Sequence, residues 1–143
     1  MTSRADRFTI EQKKIEYYSD FLLNLDKNPI TGFLGKVTNE ESIKQSLKSL
    51  ILTQRTERPF QPWLGSKIYA LLFELNSPIV EHSLQEEIKT TIQNCEPRVS
   101  IDDIVITSAQ AYDTNEINIT LYFQIRSIPG KNYSLDVVLN RTR

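Results

Sequence analysis

Ile117-Asn118-Ile119-Thr120-Leu121-Tyr122-Phe123-Gln124-Ile125-Arg126 is the stretch that decides the fold. Ile117, Ile119, Leu121, Phe123 and Ile125 alternate without interruption against Asn118, Thr120, Tyr122, Gln124 and Arg126. A period of two sends these sets to opposite faces of a strand. The pattern therefore predicts a strand with one apolar face and one wet face. Downstream, Pro129-Gly130 is a turn signal, and Tyr133, Leu135, Val137 and Leu139 resume the alternation. Upstream, Ile101 to Tyr112 is β-rich and Asp113-Thr114-Asn115 supplies another turn. Short turns between consecutive strands predict an antiparallel meander at the C-terminal end.

Before Arg98 the period is helical. Thr38-Asn39-Glu40-Glu41 has the form of a capping box, with Thr38 as cap and Glu41 reaching back. Ile43, Leu47, Leu50 and Ile51 then mark one buried helix face, and Pro59 requires that helix to stop before Arg58. Pro59 and Pro62 stiffen the following loop, and Gly65-Ser66 opens a second helix with Ile68, Leu71, Leu72 and Leu75 on its apolar face. Asn76-Ser77-Pro78 breaks it. A third helix starts between Ser77 and Ser83, buries Leu84, Ile88, Ile92 and Cys95, and is limited by Pro97. Tyr17 to Leu25 reads as extended, Asp26 to Pro29 as a turn and Gly32 to Val37 as a short edge strand. The expected fold class is α+β, with about three helices packed on an antiparallel sheet that ends in a three-stranded meander. Residues 1 to 16 are expected to form a flexible arm and residues 17 to 143 a single domain.

Seventeen basic and eighteen acidic residues give a net charge of −1, which argues against nucleic-acid or anionic-membrane binding. Cys95 is the only cysteine, so no internal disulfide forms. No apolar run is long enough to span a bilayer, and the first residues lack a secretory apolar stretch. The expectation is a soluble protein assembled in a reducing cytoplasm.

The residues argue for docking rather than catalysis. His82 and Cys95 are single, so no metal cluster of usual spacing exists, and neither metal nor cofactor is expected. Four glycines form no phosphate loop, and no serine sits in a nucleophile elbow. Glu57 with Glu96 is the one carboxylate pair worth weighing as acid and base. Glu96-Pro97-Arg98 sits where the period changes. On an extended segment Glu96 and Arg98 face one side together and can meet a partner. The competing reading is a helix stop with an internal ion pair, joined by Arg58. A meander also leaves two sheet edges able to accept a strand, unless the segment Tyr17 to Leu25 or Gly32 to Val37 covers one.

Ser42-Ile43-Lys44-Gln45-Ser46-Leu47, Arg58-Pro59-Phe60-Gln61-Pro62-Trp63-Leu64-Gly65, Leu71-Leu72-Phe73-Glu74 and Glu96-Pro97-Arg98 occur in this order. The ordered set resembles the baseplate wedge family of contractile-tailed phages, sometimes labelled lysozyme-like, which includes the small wedge subunit of T-even phages and its type VI secretion counterpart. The resemblance runs from about residue 17 to the C-terminus, and Leu139-Asn140-Arg141-Thr142-Arg143 is similar to the ending of myophage members. It implies a sheath-subunit-like α+β domain in a virion tail baseplate, assembled in the host cytoplasm. Its implied partners are other wedge proteins and the tail sheath subunit, with about six copies per ring. It implies a structural role: linking the wedge core bundle to the first sheath ring and templating the sheath by strand exchange. The implied partner-binding residues are Glu96, Pro97 and Arg98, supported by Arg58, Pro59, Phe60 and Gly65. A peptidoglycan hydrolase and an anti-adaptor regulator are the alternatives within the same domain type.

Overall fold

The computed structural model describes residues 15–72, 78–108 and 116–140. Expectations for residues 1–14, Phe73 to Ser77, Ala109 to Asn115 and Arg141 to Arg143 lie outside the described residues. They include most of the arm, Leu75, and the turn Asp113 to Asn115.

The elements run β1 (Ser19–Phe21), β2 (Lys36–Thr38), α1 (Glu40–Leu52), α2 (Ile68–Leu72), α3 (Pro78–Cys95), β3 (Val99–Ser108), β4 (Glu116–Ile125) and β5 (Asn132–Asn140). The last three strands form an antiparallel sheet in the order β3-β4-β5. The α+β class and the meander are as the periodicities predict. In β4, Ile119, Leu121, Phe123 and Ile125 are buried, whereas Asn118 and Tyr122 are exposed. β5 pairs with β4 over nine consecutive residues with no slip, and its Val137 and Leu139 join the same apolar layer.

β3 departs from simple alternation. Val99 and Ile101 face the core, then the register shifts between Ile101 and Asp103, and Ile104 and Ile106 face it. One extra residue inverts the phase, which is what a β-bulge does. Asp103 Oδ1 accepts the Ile104 amide at 2.8 Å, and Gln85 Nε2 of α3 donates to the Ile104 carbonyl at 3.1 Å.

Helix α1 buries Ile43, Leu47, Leu50 and Ile51, and α3 buries Leu84, Ile88 and Ile92, against the inner sheet face. Cys95 is half-buried and packs against this core. Pro78 is the first residue of α3, where its missing amide costs nothing. At the other end, Pro97 cannot continue the ladder and bars Glu96 from helical geometry. The chain turns directly into β3.

The expected capping box does not form. Thr38 lies in β2, and the cap of α1 is Asn39, whose side chain makes no bond to the helix. That side chain holds the N-terminal segment instead. Its Oδ1 accepts the amides of Tyr17 (2.8 Å) and Tyr18 (3.3 Å), and its Nδ2 donates to the Ile15 carbonyl at 2.8 Å. The Asn39 backbone sits at φ 52°, and the residue is only 4% exposed. Tertiary contacts therefore outcompete the local cap. Asn39→Ala is expected to lower unfolding free energy by about 2 kcal/mol, from three lost bonds of roughly 0.5–1.5 kcal/mol each. A urea melt within about 0.5 kcal/mol of wild type would show the clamp to be dispensable.

β1 and β2 pair with each other in a separate two-stranded sheet. Neither pairs with a meander edge, so the alternative in which Tyr17 to Leu25 or Gly32 to Val37 covers one does not hold. Only parts of those stretches are strand. Leu22 to Leu25 turns, and Gly32, at φ 69°, closes another turn. Among the described residues from Ile15 to Thr38 no side chain is fully buried. The hairpin is held by polar anchors more than by a core of its own.

Candidate docking site

The three elements that meet at the end of α3 build the site. Glu96 follows the last helical turn, its amide still bonded to the Ile92 carbonyl at 2.8 Å. Arg98 lies one residue before β3, and its carbonyl accepts the Arg126 amide at 3.0 Å. Pro97 between them turns the chain so that the two side chains face each other. Arg98 Nε meets Glu96 Oε1 at 2.5 Å and Nη2 meets Oε2 at 2.6 Å, a forked pair of charge-assisted bonds. Ser46 of α1 donates from Oγ to Glu96 Oε2 at 2.7 Å.

The two charges are unequally buried. The Glu96 side chain is 6% exposed and the Arg98 side chain 35%. Burial alone pushes the Glu96 carboxyl up, but hydrogen bonds from Arg98 and Ser46, with the Arg98 charge, hold it below its ordinary 4.5. The same bond to Glu96 holds the Arg98 guanidinium above its ordinary value despite partial burial. The guanidinium also stacks on Tyr18, with Cζ 5.2 Å from the ring centroid. The Tyr18 hydroxyl meets Ser127 Oγ in the β4–β5 turn. One side chain thus ties helix end, hairpin and sheet together.

The loop from Arg58 to Gly65 is folded tightly on backbone bonds. The Thr56 amide donates to the Pro62 carbonyl at 3.0 Å, and the Leu64 amide to the Gln61 carbonyl at 3.1 Å. Gln54 and Ser66 form a parallel bridge, and Ser66 Oγ donates to the Ile51 carbonyl at 2.8 Å. Glu87 of α3 accepts the Lys67 amide at 3.1 Å and sits 3.6 Å from Arg55, anchoring the entrance to α2. Gly65 is buried, while Phe60 is 93% exposed. Arg58 and Pro59 are exposed too.

An open cleft of about 460 Å³ lies between the hairpin, α1 and this loop. Arg58 and Glu96 both line it, so the two sequence clusters do share a surface. Among the described residues, no ion pair joins them: Glu96 is engaged by Arg98 and Ser46. Glu57 Oε2 accepts the Gln54 amide at 3.0 Å, and Glu57 is not among the residues that line the cleft. Of the weighed acid–base pair, Glu96 alone lines the cleft. A carboxyl held ionised by a forked guanidinium is unsuited to donate a proton.

Sequence reasoning placed Glu96, Pro97 and Arg98 at the joint but missed Ser46, Tyr18 and Gln45. Gln45 Nε2 donates to the Phe21 carbonyl at 2.7 Å and its Oε1 accepts the Leu23 amide at 3.2 Å, seating the hairpin on α1. Gln45 and Ser46 adjoin buried Leu47 on the border of the apolar stripe. Polar residues at such borders are the available signal, and it is a faint one.

The sequence profile of the family described as "Baseplate wedge protein gp25" matches residues 37–130. Baseplate wedge protein gp25 of Enterobacteria phage T4 is 31% identical over 88 residues, 62% of this chain. That alignment spans 65% of the T4 protein's length. A Geobacter sulfurreducens protein labelled a tail lysozyme has a similar fold, with TM-score 0.67 at 20% identity, covering 75% of this chain and 96% of that one. A chain of the anti-feeding prophage baseplate has TM-score 0.61 at 18% identity, covering 85% of this chain and 83% of that one. The matched span contains α1, the Arg58 to Gly65 loop and the Glu96–Arg98 joint, and on it the chain belongs to the baseplate wedge protein gp25 family.

Proposed function

We propose that the chain is a structural, non-catalytic wedge protein of a contractile-tail baseplate that joins the wedge core to the first sheath ring and templates the sheath by strand exchange. Its partners on this reading are other wedge proteins and the sheath subunit, in about six copies per ring. It would assemble in the host cytoplasm and end in the tail baseplate. Glu96-Pro97-Arg98 and the Arg58 to Gly65 loop serve the wedge contact.

The observation that carries the sheath half is the β5 edge. β5 pairs in unbroken register over nine residues, with no bulge, proline or lysine. Sheet edges are ordinarily blunted by those devices, and an unguarded one is suited to accept a strand. β3, at the other edge, is bulged and engaged by Gln85 of α3. The label of the Geobacter structure suggests a hydrolase, but the forked pairing of Glu96 with Arg98 speaks against an acid role for that carboxyl.

Replacing Ser134 and Val138, both exposed on β5, with lysine tests the reading. The double variant is expected to fold normally and enter baseplates, yet to yield few sheathed tails in electron micrographs. Sheath growth at wild-type frequency would remove β5 as the acceptor.

A further inference from the structure

Residues 19–37 are held differently from the rest of the chain. Only Leu22, Gly35 and Val37 among them are half-buried, and the others are exposed, Phe21, Leu23, Leu25, Ile30 and Phe33 included. Lifting this hairpin off the body returns little apolar surface to water, so the hydrophobic penalty is small. The body is the opposite case, with Ile43, Leu47, Ile88 and Ile119 fully buried.

The hairpin also carries its own bonds. The Leu22 amide donates to the Gly35 carbonyl at 2.8 Å, the Gly35 amide to the Asp26 carbonyl at 2.8 Å and the Asn28 amide to the Phe33 carbonyl at 2.7 Å. It can therefore move as a unit. Its root is firm: Asn39 clamps the Tyr17 and Tyr18 amides, and Tyr18 packs against the core and Arg98. Beyond the root, among the described residues, hydrogen bonds from residues 19–37 to the body involve one side chain, Gln45 of α1. It donates to the Phe21 carbonyl at 2.7 Å and accepts the Leu23 amide at 3.2 Å. Asp20 adds an electrostatic attraction to the Arg98 guanidinium.

Open space flanks the Gln45 contact. Besides the 460 Å³ cleft there is a second of about 330 Å³, lined by Val37, Glu41, Lys44, Lys48 and Leu135. Leu22, Leu23 and Gln45 line both, so they form the partition between the two.

We propose that residues 19–37 form a hinged flap that swings away from α1 about the root at Tyr18 and Asn39, with Gln45 as its latch. Closed, the flap divides the surface into two clefts. Open, it joins them and bares α1 from Glu41 to Ser49 as one continuous surface. Such opening is a local event that leaves the helix–sheet body folded. The flap is a property of the chain itself and stands whether or not the wedge reading does.

The test uses the full chain and pulsed electron paramagnetic resonance. Nitroxides are placed at Ile30→Cys on the flap and Thr90→Cys on α3, both exposed positions, in a Cys95→Ser background. The latched chain is expected to give a narrow distance distribution with a minor broad component. Gln45→Ala is expected to enlarge the broad component about tenfold, the scale of two hydrogen bonds between solvent-exposed groups. Alanine suits a helix interior, so the urea midpoint of the helical circular dichroism should stay at the wild-type value. A distribution unchanged by Gln45→Ala overturns the latch. A clear fall in the urea midpoint places the hairpin inside the cooperative body and overturns the flap. Moving the first nitroxide to Tyr17→Cys checks the hinge: the distribution should stay narrow with and without Gln45→Ala. Equal broadening there means that the root detaches too, and the proposed hinge is wrong.

Discussion

Arg98→Ala is expected to cost about 2–3 kcal/mol of folding free energy at neutral pH and to remove the protein from assembled wedges. Breaking a buried ion pair from one side costs about 3–5 kcal/mol. The figure is reduced because the Arg98 side chain is about one third exposed and solvent screens it. What remains is the charge of Glu96, 6% exposed and left with Ser46 alone. Glu96→Gln is expected to cost less, about 1 kcal/mol, because the stranded guanidinium still reaches water. Arg98→Lys recovers little, since an ammonium cannot reproduce the fork or the stack on Tyr18.

The pH dependence separates this account from a loss of packing. In the wild type the Glu96 carboxyl is held below its ordinary 4.5. Its stabilisation is complete above 4.5 and disappears as pH falls through the folded-state value. In Arg98→Ala, burial is no longer outweighed and pushes Glu96 up. Protonation then favours the folded variant as pH falls towards 4.5. The stability gap between wild type and variant should therefore narrow steadily from pH 7 to pH 4. Urea midpoints showing a constant gap over that range would mean that the buried carboxylate is not what Arg98 neutralises.

How far the sequence reveals this site depends on the range of each contact. The meander is legible because strand alternation is a local signal, and β4 keeps it for ten residues. The bulge in β3 is not, because Asp102 and Asp103 look like an ordinary polar break until a partner strand shows the slip. Glu96 and Arg98 are legible as a pair because Pro97 fixes their separation. Ser46 and Tyr18 lie 50 and 80 residues from their partners: Ser46 falls within the ordered motif set, but nothing in that set assigns it a contact, and no period or motif reaches Tyr18. Asn39 misleads for a related reason: its neighbours spell a local cap, but the hairpin amides compete for the same oxygen and win. Tyr17 to Leu25 misleads in the opposite direction. Its aromatic and aliphatic residues read as an extended segment able to cover a sheet edge, yet Phe21, Leu23 and Leu25 are exposed and line the open cleft.

Gly65→Ala is expected to be more disruptive than the loss of Arg98, at about 3–4 kcal/mol, although it removes no interaction. Gly65 sits at φ 115°, which a side chain resists at a cost of about 1–2 kcal/mol. A methyl group there would also meet the Thr53 carbonyl oxygen at 2.5 Å, with Gln54 C at 3.0 Å and the Arg55 amide at 3.1 Å. All three atoms are backbone, so no rotamer change relieves the clash, and overpacking of this kind adds about 1–3 kcal/mol. Moving the segments apart breaks the bonds that join them: Ser66 amide to Thr53 carbonyl at 2.9 Å and Arg55 amide to Ser66 carbonyl at 3.0 Å. Ser66 Oγ would then leave the Ile51 carbonyl at the end of α1. Gly32→Ala and Gly130→Ala provide the comparison, since both positions have positive φ but open space around the added carbon. Those variants should lose only the backbone term, about 1 kcal/mol. A Gly65→Ala midpoint no lower than theirs would show that the corner yields without breaking. The expected large loss would establish that the close backbone approach at Gly65 helps to hold the Arg58 to Trp63 loop in place. Tail assembly should follow the same ranking, because Arg58 and Leu64 hold their places in the cleft only while that corner is closed.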